Sequence, residues 1–218
     1  QYESHTMIEL FHFTAAGLSA LMIFAFVSSI TPGPNNLMLL YSGARFGFAH
    51  SLPHLLGVSL GFGLMLALCC LGVAGIFWKI PHAQDALKVA GCAYMLWLAY
   101  KLWKNGALPA GGDLPDANNK GAAKPMTFVQ ASLFQYVNPK AWVMGLTVPA
   151  AYLPNDGHLL INTLIATLVF TVINLFCCGT WVQGGALLQK HMHEPTLARI
   201  INATIVAMTV YCAAAVWL

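Results

Sequence analysis

The chain has 218 residues, 58% of them hydrophobic and only 8% charged, with a formal net charge of +3. A soluble domain carries about 25% charged residues, so a water-solvated globular protein is excluded and a polytopic membrane protein is indicated. The small, dispersed positive charge gives no electrostatic footprint for nucleic acid.

Long charge-free runs set the predicted elements. No Asp, Glu, Lys or Arg lies between Glu9 and Arg45, between Arg45 and Lys79, between Asp156 and Lys190, or after Arg199. A spanning helix needs about 20 mostly apolar residues. Met7 reads as the natural start, with the polar Gln1–Thr6 a remnant ahead of it. The first predicted span covers about 13–44 and is interrupted at Thr31-Pro32-Gly33-Pro34-Asn35-Asn36. The second covers about 53–78 and contains Gly57, Gly61 and Gly63, which permit close helix approach. The third covers about 84–103. A Gly-, Pro-, Asp- and Asn-containing loop follows to about 124. The fourth span covers about 126–152 and is interrupted at Asn138-Pro139-Lys140. The fifth covers about 158–187 and the sixth about 197–218. Trp78, Trp97, Trp103, Trp181 and Trp217 read as interfacial anchors.

The halves are related in pattern. Pro34 and Pro139 lie 105 residues apart, and Cys69-Cys70 and Cys177-Cys178 lie 108 apart. Cys-Ala-x-x-x-Trp-Leu occurs at 92–98 and at 212–218. The fold expected is all-α and polytopic: one integral membrane domain of six transmembrane helices. Repeat 1 spans about 7–104, the loop about 105–124 and repeat 2 about 125–218. Three spans per half is an odd number, so the repeats are inverted, with a broken helix at the first span of each. Lys and Arg gather at 45, 101, 104, 120, 124, 190 and 199, which makes that side cytoplasmic and both termini periplasmic.

Proline removes a backbone hydrogen bond, and in hydrocarbon the freed groups need other partners. A half-helix starting after Thr31-Pro32-Gly33-Pro34 offers unpaired amides and a positive dipole end to a carboxylate. Asn35, Asn36 and Asn138 add neutral donors and acceptors, and carbonyls freed by Pro139 can accept from an ammonium group. Lys140 stands at the second break, where an intramembrane cation is costly and marks function. It is a candidate both for carboxylate binding and for proton coupling. His50 and His54 are the other coupling candidates, since imidazole titrates near neutrality.

Six cysteines lie in apolar runs and read first as packing residues. Their placement leaves a thiol-redox protein as one alternative; an ion or metal efflux protein is the other. No nucleophile–base pair marks an enzyme, and no cofactor or metal site is expected. The expected partners are an amino acid, protons and the lipid bilayer, with a homo-oligomer allowed.

Ser29-Ile30-Thr31-Pro32-Gly33-Pro34-Asn35-Asn36-Leu37, Arg45-Phe46-Gly47-Phe48 and Gly57-Val58-Ser59-Leu60-Gly61 resemble the LysE/RhtB family of bacterial amino-acid exporters. Ala93 through Lys101 and Phe128 through Ala141 are similar too, so the resemblance covers essentially the whole chain. It implies a six-span inner-membrane protein that exports amino acids or their derivatives, driven by the proton gradient. Intramembrane carboxylates are absent from the predicted spans, and this inclines the expected substrate toward a small neutral zwitterion.

Overall fold

The computed structural model describes residues 13–72, 82–105, 125–189, 195–215 and 217, and every regular element among them is helical. The helices are α1 (Ala15–Ile30), α2 (Pro34–His50), α3 (Leu52–Cys70), α4 (Ala83–Asn105), α5 (Phe128–Phe134), α6 (Pro139–Ala151), α7 (Leu159–Gln189) and α8 (Pro195–Ala215). A single 3-10 turn, Gln135–Val137, joins α5 to α6. The 106–124 part of the expected loop lies outside the described residues, as do Lys79, Lys120, Lys124 and Lys190.

Helices α3 and α7 are each long and apolar enough to cross a membrane. The α1–α2 pair makes a third such span if its two arms, bent by 56° at the break, are taken as one. Large apolar side chains such as Leu160, Leu164, Leu168 and Phe176 project outward from α7. In water that surface would associate, whereas lipid tails solvate it.

Local sequence sets the ends. Thr14 opens α1 by accepting from the Gly17 amide, and Thr127 with Gln130 forms a reciprocal capping box on α5. Proline occupies the first helical position of both α2 and α6, where its missing N–H costs nothing. The expected first span stops near residue 44, but the helical path runs on to His50 through a turn at Gly47. Its φ of 76° is a left-handed value that favours glycine. That turn explains the Arg45-Phe46-Gly47 motif. Arg45 folds over the Tyr41 and Phe46 rings and donates to the Tyr41 hydroxyl at 2.7 Å, while the chain reverses into α3. The expected second span is also shorter than its apolar run: α3 ends at Cys70, and residues 73–81 lie outside the description.

Packing between the halves is reciprocal. The second helix of the first half, α3, lies against α5 and α6, the broken pair of the second half. The second helix of the second half, α7, lies against α1 and α2, the broken pair of the first. The third helices, α4 and α8, pack on each other. Small residues bring these elements close. A Cβ on Gly57 would strike the Phe128 carbonyl and Ala131, and one on Gly61 would strike Ser132. A Cβ on Gly43 would strike the Val182 carbonyl, and one on Gly185 the Leu40 carbonyl. Two apolar clusters flank the meeting point of the breaks. The larger holds Leu21, Ala25, Phe62, Met65, Val148 and Phe170, and the smaller holds Leu39, Leu55, Val58, Ala131 and Val182.

Candidate functional site: two helix breaks at one cavity

The two breaks, a hundred residues apart in sequence, meet. Between them lies a cavity of about 20 Å³, room for a water and not for an amino acid. Its polar lining includes Asn35 and Asn36 from α2, Gln135 and Asn138 from the second break, Lys140 from α6 and Asn174 from α7. Gly33, Ser28, Ser29, Phe62, Met144 and Cys178 complete much of the wall.

At the first break, α1 ends with carbonyls that have no helical partner. Each receives a donor from elsewhere. The Trp181 indole donates to the Ile30 carbonyl at 3.1 Å. The Asn36 amide donates to the carbonyls of Ser29 (2.7 Å) and Thr31 (2.8 Å). The Lys140 ammonium crosses from the other half and donates to the Thr31 carbonyl at 2.8 Å and the Thr31 hydroxyl at 2.9 Å. The α2 N-terminus is different. Gly33 is its N-cap residue and no side chain caps it, so its first-turn amides stand at the positive end of the helix dipole without a built-in acceptor.

At the second break, Asn138 caps α6 by accepting from the Lys140 amide at 3.2 Å. The Trp142 indole donates to the Tyr136 carbonyl at 2.9 Å. Gln135 is fully buried and exchanges two hydrogen bonds with Asn35, at 2.8 and 3.3 Å. It also donates to the Ala131 carbonyl at 2.9 Å. The Asn35–Gln135 pair joins the halves beside the Lys140–Thr31 and Trp181–Ile30 bonds, and a neutral reciprocal amide pair can open without leaving a buried charge.

Of the expected site residues, Gly33, Asn35, Asn36, Asn138 and Lys140 line the cavity. Pro34 and Pro139 start the two half-helices beside it. Thr31 and Pro32 are exposed at the break, with Thr31 holding Lys140. His50 and His54 are not among the lining residues named above: His50 is exposed at the end of α2 and His54 is buried in α3. Sequence reasoning passed over Gln135, Ser28, Ser29 and Cys178 as site residues. A glutamine four residues before a proline in an apolar helix is the signal that could have flagged Gln135. Trp181 is corrected from interfacial anchor to a donor at the first break. Asn162 holds the α6–α7 connection, donating to Asp156 at 2.7 Å. The thiols of Cys69, Cys70, Cys92, Cys177 and Cys178 are free. Cys178 lies within weak hydrogen-bond reach of the Asn36 and Asn174 side-chain oxygens, at 3.5 and 3.6 Å.

A lipid-facing helical bundle whose broken helices meet at a central polar cavity is the architecture of a membrane translocator. The chain belongs to the LysE type translocator family, whose model matches residues 26–218. It is similar to the cysteine/O-acetylserine efflux proteins of Escherichia coli (strain K12) and Shigella flexneri. Each is 30% identical over 200 residues, which cover 90% of this chain and 95% of the relative. No solved structure matches the chain.

Proposed function

We propose that this protein is a secondary transporter that exports small neutral amino acids or their derivatives from the cytoplasm by proton antiport. In this reading it is a six-span protein of the bacterial inner membrane, built as two inverted three-helix repeats with both termini periplasmic. The reciprocal packing of each half's second helix on the other half's broken pair supports the repeat. The substrates named for its relatives support the amino-acid class.

One observation carries the proposal: an ammonium, an uncapped helix N-terminus and a set of neutral amides converge on one cavity from both halves. A zwitterion presents the complementary charges. Its carboxylate pairs with Lys140 and the α2 first-turn amides, displacing Lys140 from Thr31. Its ammonium takes the carbonyl and amide oxygens at the α1 C-terminus, the negative end of that helix dipole. Because the cavity is water-sized in this conformation, loading requires the halves to separate. That separation requires the Asn35–Gln135 pair to open and Lys140 to leave Thr31. Proton release from Lys140 couples the cycle to the gradient.

The test is export from vesicles loaded with a panel of labelled amino acids under an imposed pH gradient. Wild type should release small neutral amino acids, and both Asn35→Ala and Lys140→Met should lose most of that flux. Near-normal export by both variants would reduce the breaks to packing kinks.

A further inference from the structure

Around the central cavity the hydrogen-bond donors outrun the acceptors. The oxygens of the amide side chains on its wall are engaged. Asn35 and Gln135 serve each other, Asn138 takes the Lys140 main-chain N–H, and Asn36 and Asn174 share the Cys178 thiol. The donors are not spent. The Asn138 side-chain NH2 has no acceptor among the described residues, although its oxygen is bonded. Asn138 is 2% exposed and lines the cavity, so the open side left to that NH2 is the cavity. The Ser29 hydroxyl accepts from Asn174 at 3.1 Å and has no acceptor for its own proton among the described residues. The N–H groups of Asn35 and Asn36 lie in the first turn of α2, where no helical acceptor precedes them and no side chain caps them.

Charge is out of balance in the same direction. The Lys140 ammonium stands against the α2 N-terminus: a Cβ on Gly33, the N-cap residue, would lie 3.2 Å from Nζ. An ammonium and the positive end of a helix dipole therefore share one side of the cavity. The carboxylates among the described residues, Asp85 and Asp156, are not on its wall. The space of about 20 Å³ exceeds the ~10–15 Å³ that a water requires, so an ion slightly larger than water fits. A water would meet the free donors and leave the charge, and a cation would add to it. A monatomic anion answers both.

We infer that the closed cavity is a halide site, filled by chloride in saline solution, where Asn138 donates to the ion beside Lys140 and the first turn of α2. N–H donors around an anion, one of them charged, make the strong class of hydrogen bond, and a helix N-terminus favours negative charge. The halide stands where the export reading puts the substrate carboxylate, so the two exclude each other. The site itself rests on the cavity geometry; only that competition rests on the export reading.

Thermal unfolding in micelles tests it, in sodium chloride or bromide against sodium gluconate at the same concentration. Gluconate is too large for the cavity. A ligand that binds only the folded state raises the unfolding midpoint with its concentration. Chloride and bromide should raise the wild-type midpoint above its value in gluconate. Asn138→Asp keeps the oxygen that caps α6 and puts a fixed negative charge in place of the NH2, so its midpoint should not depend on the halide. In Lys140→Met the halide concentration that gives half the rise should increase about tenfold or more. Equal wild-type midpoints in chloride and gluconate would leave water in the cavity and overturn the site. The same rise in wild type and both variants would be a general salt effect and overturn it too. Small neutral amino acids should raise the wild-type midpoint in gluconate, and by less in chloride. A rise undiminished by chloride would place the halide elsewhere and overturn the proposal. If no amino acid shifts the midpoint while the halide pattern holds, the export reading fails and the halide site stands.

Discussion

The two helix breaks have the same cause, a proline pair or proline preceded by asparagine in an apolar stretch, and opposite solutions. The second break is satisfied from nearby sequence. Asn138 caps its own helix, Trp142 reaches back six residues to Tyr136, and a 3-10 turn carries the chain across. The first break also borrows. Asn36 and the Thr31 hydroxyl serve its carbonyls locally, but the Ile30 and Thr31 carbonyls also take donors from afar, Trp181 of α7 and Lys140 of α6. One break is therefore a self-contained platform, and the other exists in its present form only while the halves are closed. A transporter needs such an asymmetry, because a ligand shifts an equilibrium only through contacts that differ between the two states.

Lys140→Met should have the largest effect. It removes the donor that the second break lends to the first. A charge-assisted hydrogen bond is worth about 1.5–3 kcal/mol, or roughly 10- to 100-fold in rate or affinity. Export should fall by that factor, and Lys140→Arg should recover part of it. An export rate within twofold of wild type would mean that the breaks do not depend on each other.

The amide pair comes next. Asn35→Leu and Gln135→Leu should each destabilise the folded protein by about 1–3 kcal/mol, since the first leaves the buried Gln135 and the second the half-buried Asn35 without its partner. The double variant should cost less than the sum of the singles by about 1 kcal/mol. Denaturant unfolding in micelles measures the cycle. Strict additivity would show that the halves are not held by this pair.

How much of this was legible in the sequence follows the same division. Pro34, Pro139 and the asparagines beside them announce the breaks, because proline chemistry is local. Gly57 and Gly61 announce close packing, though not that α5 is the neighbour. Gln135 was not legible as Asn35's partner. The 105-residue offset between the prolines aligns Asn35 with Lys140 instead, and the pair forms by approach of the halves, not by repeat symmetry. Trp142 and Trp181 were unreadable for a related reason: an indole N–H in an apolar helix looks the same whether it faces a headgroup or a freed carbonyl.

Two glycines sharpen the contrast between a movable and an immovable neighbour. Gly33 has an extended φ of −171°, which alanine adopts freely. A Cβ there would lie 2.9 Å from Cδ and 3.2 Å from Nζ of Lys140, the far end of a flexible side chain. Gly33→Ala should therefore shift stability by less than about 1 kcal/mol yet lower export severalfold by moving the ammonium. Gly91 on α4 faces the second break, where a Cβ would meet the Val137 carbonyl and the Pro139 ring, the latter at 3.0 Å. Backbone and proline ring cannot swing aside, so Gly91→Ala should cost about 1–3 kcal/mol in stability. Protein that remains folded should keep its substrate affinity. The reverse pattern would assign the rigid platform to the first break.

The smallest expected effect separates the two indoles. Trp181→Phe and Trp142→Phe each remove one N–H donor and keep most of the apolar volume, a loss of about 1 kcal/mol apiece. Equal stability costs are compatible with unequal functional costs. Trp142 and Tyr136 lie on the same short segment and move together, so their bond persists through any rearrangement of the halves. Trp181 is on α7, 151 residues from the Ile30 carbonyl it binds, and that bond reports how α7 sits on α1. Trp181→Phe should therefore change the rate of export at unchanged substrate affinity, while Trp142→Phe should leave both within about twofold. Export rates and substrate binding measured side by side decide this. An equal loss of rate in the two variants would mean that the bond across the halves is no more state-dependent than the one within a segment.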